Sequence, residues 1–366
     1  MINSGNNTTL GVNIMKRNLL VILFLVLVIT AIAFSQIIGN SEEATILGKK
    51  SSISEYFPFK ENTHYDYEGI GNEFAEQEMF FEFIEGDKAQ IKISNPGTTV
   101  IKVLEITEES LSEIYYEAEF YHIENMINKS KEKTEILLKE PLEVGNSWND
   151  SEGHKRSITE INTEIDTPYG KFEAIEVTTE LGGNTRSMKY YAKDVGLVAS
   201  IYEDENGQVK TLLKSLKETP LQSEVLLFFP VYDEKTNDTL IVSVNHKFEF
   251  STNERMEKII EKTLKNPPSE RLFPVISEGT IINTIILDRV KWALKVDFSK
   301  ELLTEMNMGS SQEGEMLKCL VNTLGTLYDM DQVYISVDGK PYESGHFALM
   351  DGESFKVDLE NIEEFK

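Results

Sequence analysis

Between Tyr56 and about Leu216, apolar and polar residues alternate with a period of two and are interrupted by short turn strings. Half-buried antiparallel strands require that pattern, and few other structures can use it. Ala89, Ile91 and Ile93 alternate with Lys88, Gln90 and Lys92, and the preceding strand, Glu78 to Ile84, is joined to them through Glu85-Gly86-Asp87, which predicts a hairpin. Ile114, Tyr116, Ala118 and Phe120 read as one face of another strand. Ile158 to Ile165 and Phe172 to Thr179 flank Asp166-Thr167-Pro168-Tyr169-Gly170, and Val195 to Tyr202 meets Gln208 to Leu213 through a turn ending in Asn206-Gly207. The expectation is a curved antiparallel meander over residues 56–217. Its aromatic residues Tyr65, Phe81, Phe83, Tyr116, Trp148 and Tyr191 have two readings: the packed concave side of the sheet, or a candidate groove for a lipid or glycan.

A different pattern begins at residue 225, after a hinge expected over 218–224. Val225 to Tyr232 and Leu240 to Phe250 read as strands, and Thr252 or Asn253 is placed to cap a helix with Met256, Ile259, Ile260 and Leu264 on one face. Asn266-Pro267-Pro268 stops that helix. Thr280 to Leu287 and Lys291 to Val296 pair about Asp288-Arg289. Met316, Leu317, Leu320, Val321, Leu324 and Leu327 form a second helical stripe, and Val333 to Val337 closes the sheet. Two helices against one sheet make an α+β sandwich over 225–350, followed by a C-terminal tail at 351–366.

Ahead of both parts, Leu19 to Phe34 is apolar except for Thr30 and follows Lys16 and Arg17 directly. Basic residues before an apolar run place the N-terminus inside and export the rest. Residues 1–18 are then cytoplasmic, with Met15 as an alternative start, and 19–38 contact the membrane. That segment reads either as a single-pass anchor or as a cleaved signal peptide with Ala31-Ile32-Ala33 before the cut. Residues 39–55 read as a polar linker. The folded part is expected outside the cytoplasm, membrane-bound in the first case and secreted in the second. With 36 basic and 62 acidic residues the net charge is −26, which repels nucleic acid.

No set of residues in the sequence carries recognisable catalytic chemistry. His64, His122, His154, His246 and His346 lie far apart, without metal-ligand spacing. Cys319, the single cysteine, sits among Leu317, Leu320 and Val321 and reads as core. Ser130-Lys131-Glu132-Lys133 matches Ser-x-x-Lys without the partner motifs of penicillin-recognising enzymes, and Asp233 to Asp238 lacks the order of a calcium loop. The residues therefore imply no enzyme, no metal and no cofactor.

Two resemblances extend this reading. Tyr56-Phe57-Pro58-Phe59-Lys60, Val144-Gly145-Asn146-Ser147-Trp148, Thr167 to Ala174 and Tyr190 to Val198 resemble a β-rich domain of exported bacterial proteins. Leu226 to Tyr232, Leu272 to Thr280, Lys295-Val296-Asp297-Phe298-Ser299, Val321-Asn322-Thr323-Leu324 and Val333 to Gly339 resemble, in order and spacing, the GerMN domain of GerM-like sporulation and spore germination proteins. This sequence has Asn266-Pro267 where that family usually has Gly-Pro, and Gly325 where a hydroxyl residue is common. The resemblance implies a fold of ring-building type and a scaffolding role in the cell envelope, with other envelope or sporulation proteins, or further copies of the chain, as partners of the C-terminal domain. The alternative is a lipid- or cell-wall-fragment-binding protein that uses the aromatic β domain.

Overall fold

Twelve strands make one sheet in the computed structural model, which describes residues 53–366 apart from 236 and 307. Residues 53–366 form one compact unit. The chain runs through β1 (Thr63–Ile70), β2 (Gln77–Glu85), β3 (Lys88–Ser94), β4 (Thr99–Ile106), β5 (Ser110–Ala118) and β6 (Glu135–Lys139). It then crosses to β7 (Ser147–Asn149) and returns through β8 (Lys155–Thr167), β9 (Gly170–Gly182), β10 (Thr185–Ala192), β11 (Gly196–Asp204) and β12 (Gly207–Glu218). All pairs are antiparallel and β12 lies against β1, so β6 and β7 form the two ends of the sheet. The meander expected from the alternation is present.

The two ends meet. The Trp148 indole N–H donates to the Ile136 carbonyl at 3.0 Å, Arg156 reaches the same carbonyl, and its guanidinium lies 2.6 Å from Glu135. Side chains thus close the curl where the backbone ladder does not, which protects two edges that would otherwise be open for pairing. The inner face packs Tyr65, Phe81, Leu104, Leu111, Leu138, Tyr191 and Leu213 against Phe57, which follows the short helix α1 (Ile53–Tyr56).

Bulges decide which face each side chain takes. β5 carries an extra residue opposite Val103 and Leu104, so Ile114 joins the outer cluster while Tyr116 pairs with Lys102 and is exposed. The expectation that Ile114 and Tyr116 share a face is corrected, because one inserted residue reverses the alternation after it.

The outer face of β2–β5 is buried as well. Phe80, Phe83, Ile101 and Val103 share a core with the segment Phe120–Ile127 and with the C-terminal part of the chain. β13 (Leu221–Asp233) and β14 (Asp238–Phe250) form a long hairpin, joined in parallel by β20 (Glu363–Glu364). After α2 (Met256–Lys265), a second sheet is built from β15 (Ile282–Asp288) and β16 (Ala293–Phe298), then, past α3 (Glu301–Thr304) and α4 (Ser310–Tyr328), from β17 (Gln332–Val337), β18 (Lys340–Pro341) and β19 (Phe355–Lys356). Where one sheet was expected there are two, because α4 is apolar around most of its circumference and needs cover on opposite sides: Leu320 and Leu324 are fully buried, as are Asn322 and Thr323. The stretch expected as a hinge is mostly strand, with only Thr219 and Pro220 between β12 and β13. Among the described residues no helix is long and apolar enough to cross a membrane. Segment 19–38, expected to contact the membrane, lies outside the described residues.

Candidate interaction site

The polar residues that interrupt the apolar stripe of α4 each have a long-range partner. Thr323 Oγ1 accepts from the Phe228 N–H at 3.0 Å, and the Asn322 amide donates to the Asp358 carbonyl at 2.7 Å while accepting from the Asp358 N–H at 2.9 Å. Asp297 on β16 collects Ser336 Oγ at 2.6 Å, the Gly339 N–H at 2.8 Å and Asn283 Nδ2 at 2.8 Å. Burial alone would raise that carboxyl, but the three donors outweigh it and hold the group below the ordinary carboxylate range. Asn322, Thr323 and Asp297 are therefore bonded within the fold.

Near α2, Thr252 and Asn253 do different work from the helix cap expected of them. The residue before the helix is Arg255, which makes no side-chain cap. Thr252 Oγ1 donates to the Phe81 carbonyl at 2.7 Å, and the Asn253 side chain bonds both the N–H and the carbonyl of Ile84 at 2.8 and 3.0 Å. β1 pairs β2 only as far as Phe80, and these side chains satisfy the free backbone edge beyond it.

The six aromatic residues named from the sequence do not gather on one surface. Tyr65, Phe81, Trp148 and Tyr191 are buried in the interior of the curled sheet, with Tyr65 and Phe81 rings 6.1 Å apart. Phe83 packs edge-on to Phe250 at 5.7 Å, and Tyr116 is exposed. The five histidines stay apart, Ser130 and Lys133 are exposed, and Cys319 is buried with its thiol pushed up by burial. Among the described residues no group of three or more His, Cys, Asp or Glu is placed to hold a metal.

What the C-terminal part does present is an apolar groove of about 660 Å³. Pro230 and Tyr232 at the end of β13 form one wall, the return segment Phe273–Ser277 another, and Met306, Met308 and Met316 line it from around α4. The return segment is tied by Phe273 N–H to the Pro230 carbonyl at 2.9 Å and Val275 N–H to the Leu264 carbonyl at 2.9 Å. Phe273 is 50% exposed and Tyr232 49%. Methionines let such a surface adapt to what it meets. Burial, then the neighbouring Asp238 carboxylate, pushes the Glu315 carboxyl at the rim above its ordinary value, so a cation brought to this rim would be favoured. Sequence reading missed the groove, although Phe273 and Tyr232 lie within motif strings it had quoted. Their exposure depends on chain crossings that spacing does not reveal.

Beside the groove, Glu313 at the start of α4 accepts from Tyr342 Oη at 2.7 Å and pairs with His346 Nδ1 at 2.7 Å. Burial would raise this carboxyl, but hydrogen bonds from Ser344, His346 and Tyr342 win and lower it. A carboxyl lowered by folding stabilises the fold above its unfolded pKa and loses that contribution as pH falls through the folded value. Glu313→Gln should therefore lower the melting temperature at pH 7 and have a progressively smaller effect below about pH 4, read from melting curves across pH 3–7.

Comparison with known proteins finds a family match within the C-terminal part of the chain. Residues 226–343 match the family Germane, described as sporulation and spore germination. The resemblance to the GerMN domain is thereby borne out over that segment. Among solved structures, the tandem GerMN domains of the sporulation protein GerM from Bacillus subtilis are 17% identical, covering 37% of this chain and 45% of that one, with a TM-score of 0.30. A putative lipoprotein from Parabacteroides distasonis is 15% identical over 44% of this chain and 98% of that one (TM-score 0.27). A putative exported protein with a YmcC-like fold from Bacteroides fragilis is 11% identical over the same shares (TM-score 0.29). No curated protein matches the chain. The groove lies within the Germane segment.

Proposed function

We propose that this is a non-enzymatic envelope protein, anchored at its N-terminus with its bulk outside the cytoplasm, whose Germane segment is an assembly surface used in sporulation or spore germination. The observation that carries the reading is the apolar groove between β13, residues 273–277 and α4, in a segment whose family is described by those two processes. Its exposed Phe273 and Tyr232 resemble the aromatic anchors that dominate protein interfaces. The acidic rim at Glu315 favours a partner with a basic residue beside its apolar contact. Lys16 and Arg17 ahead of the apolar run support the orientation.

A C-terminal fluorescent fusion that tolerates export, followed through growth and sporulation, tests this. Enrichment at the engulfing septum in the native sequence, reduced at least several-fold by Phe273→Asp with unchanged protein level, is the expected result. Because Phe273 is half exposed and its structural tie is a backbone bond, the substitution should leave the fold intact. Uniform envelope signal for both forms in both phases would overturn the reading.

A further inference from the structure

A second cavity of the C-terminal part, about 350 Å³ in volume, is bordered by Leu302, Leu303, Met306, Met308, Met316 and His346. Met306 and Met308 lie between α3 and α4, where the Met308 N–H donates to the Met306 carbonyl at 3.0 Å. That tight turn holds both residues to one short wall. Both are partly buried, and Met316 on α4 is fully buried. Three thioethers thus meet at one cavity.

The loop after β18 brings His346 to the same place. Its Nδ1 lies 2.7 Å from one Glu313 oxygen, and the other Glu313 oxygen accepts from Tyr342 Oη at 2.7 Å. The Ser344 hydroxyl accepts from the His346 and Phe347 N–H groups, each at 3.0 Å, so the loop is fixed as well as the ring. An ionised carboxylate can only accept, so Nδ1 carries the proton and the neutral ring presents a lone pair at Nε2. Among the described residues, Nε2 has no hydrogen-bond partner.

An imidazole held by a carboxylate at one nitrogen and free at the other is the arrangement that metal-ligating histidines adopt. No second histidine, cysteine or carboxylate joins it in a ligand group among the described residues, so a hard or borderline cation lacks its donors here. The donors that remain are thioethers. Soft sulfur with imidazole selects Cu(I) over zinc, calcium or magnesium, and the three rotatable bonds of methionine let the sulfurs converge. Apolar packing would be served equally by leucine, and it does not account for the fixed imidazole. We propose that Met306, Met308 and His346 form a binding site for Cu(I), with Met316 as a further thioether donor and Glu313 as the positioning residue for the imidazole. The site does not depend on the assembly reading.

The test is anaerobic titration of the full chain, in nanodiscs of neutral lipid, with Cu(I) held by the coloured competitor bicinchoninate and kept reduced by ascorbate. One tightly bound Cu(I) per chain is expected. Met306→Leu combined with Met308→Leu conserves volume and should leave the melting temperature nearly unchanged, yet weaken binding by about tenfold or more, as should His346→Gln. Met350→Leu, at an exposed methionine outside the cavity, should leave binding unchanged. Failure of the chain to hold Cu(I) against the competitor overturns the site. So does binding that survives either exchange at the cavity, as it would if the buried Cys319 were the ligand. X-ray absorption at the copper edge of the native chain needs no variant: sulfur neighbours together with imidazole ring scattering support the site, and sulfur alone, or nitrogen and oxygen alone, overturns it.

Discussion

Glu82→Gln should destabilise the fold by about 3–5 kcal/mol, the usual cost of removing one partner from a buried ion pair. Glu82 is fully buried on β2, with one carboxylate oxygen 2.7 Å from Lys92 Nζ and the other accepting from Gln90 Nε2 at 2.7 Å. Gln90 also donates to the Glu124 carbonyl at 2.9 Å and accepts from the Met126 N–H at 2.7 Å, while Lys92 donates to the His122 carbonyl at 2.7 Å. The network thus holds the segment between β5 and β6 against the outer face of the sheet, where that segment shares its core with the Germane part of the chain. Loss of the carboxylate leaves the Lys92 charge buried without its counter-ion. The double variant Glu82→Met with Lys92→Met should recover at least half of the loss, since an apolar pair of similar volume carries no desolvation penalty. A double-mutant cycle by urea unfolding measures both values. Additive losses in the double variant would show that the pair is not coupled.

Gly325→Ser should lower stability by about 1–3 kcal/mol, as overpacking in a tight core does. A Cβ at this position of α4 would lie 2.7 Å from the Met330 carbonyl oxygen and overlap a methyl of Val357. The methyl can move. The carbonyl cannot, because α4 ends in a left-handed residue, Asp329 at φ 54°, which folds the chain back so that the Met330 N–H donates to the Gly325 carbonyl at 2.8 Å. This accounts for glycine where the GerMN family commonly carries a hydroxyl: here the close turn at Met330 leaves no room for one. Thermal melts of Gly325→Ala and Gly325→Ser test the idea, and a melting temperature unchanged in both would sink it.

Much of the fold was legible in the residues because it depends on local pattern. Lys88 to Ile93 alternates cleanly, and the observed β3 spans Lys88–Ser94. The α2 stripe of Met256, Ile259, Ile260 and Leu264 is the buried face observed. The sequence also carries a signal for the outer packing: Met79-Phe80-Phe81-Glu82-Phe83-Ile84 does not alternate, as expected of a strand buried on both faces. The candidate sites were less legible. The groove needs Phe273 beside Pro230, and the bonds that satisfy the free edge of β2 need Asn253 beside Ile84.

The amino-acid sequence by itself determined the elements and their order: an alternating β region, then strands and helices with Germane motif strings, behind a basic and apolar N-terminal segment. These follow from periodicity, turn chemistry and charge, which act over a few residues. Only the tertiary structure decided that the sheet curls until β6 and β7 meet, that the C-terminal part splits into two sheets around α4, and which partners satisfy the buried polar side chains. Those outcomes depend on contacts between residues far apart in the chain, such as Asn62 with Thr252, and on bulges that reverse a strand's faces. Hydrogen-bond satisfaction and burial are settled by what arrives from elsewhere in the chain, and spacing along one segment holds no record of it.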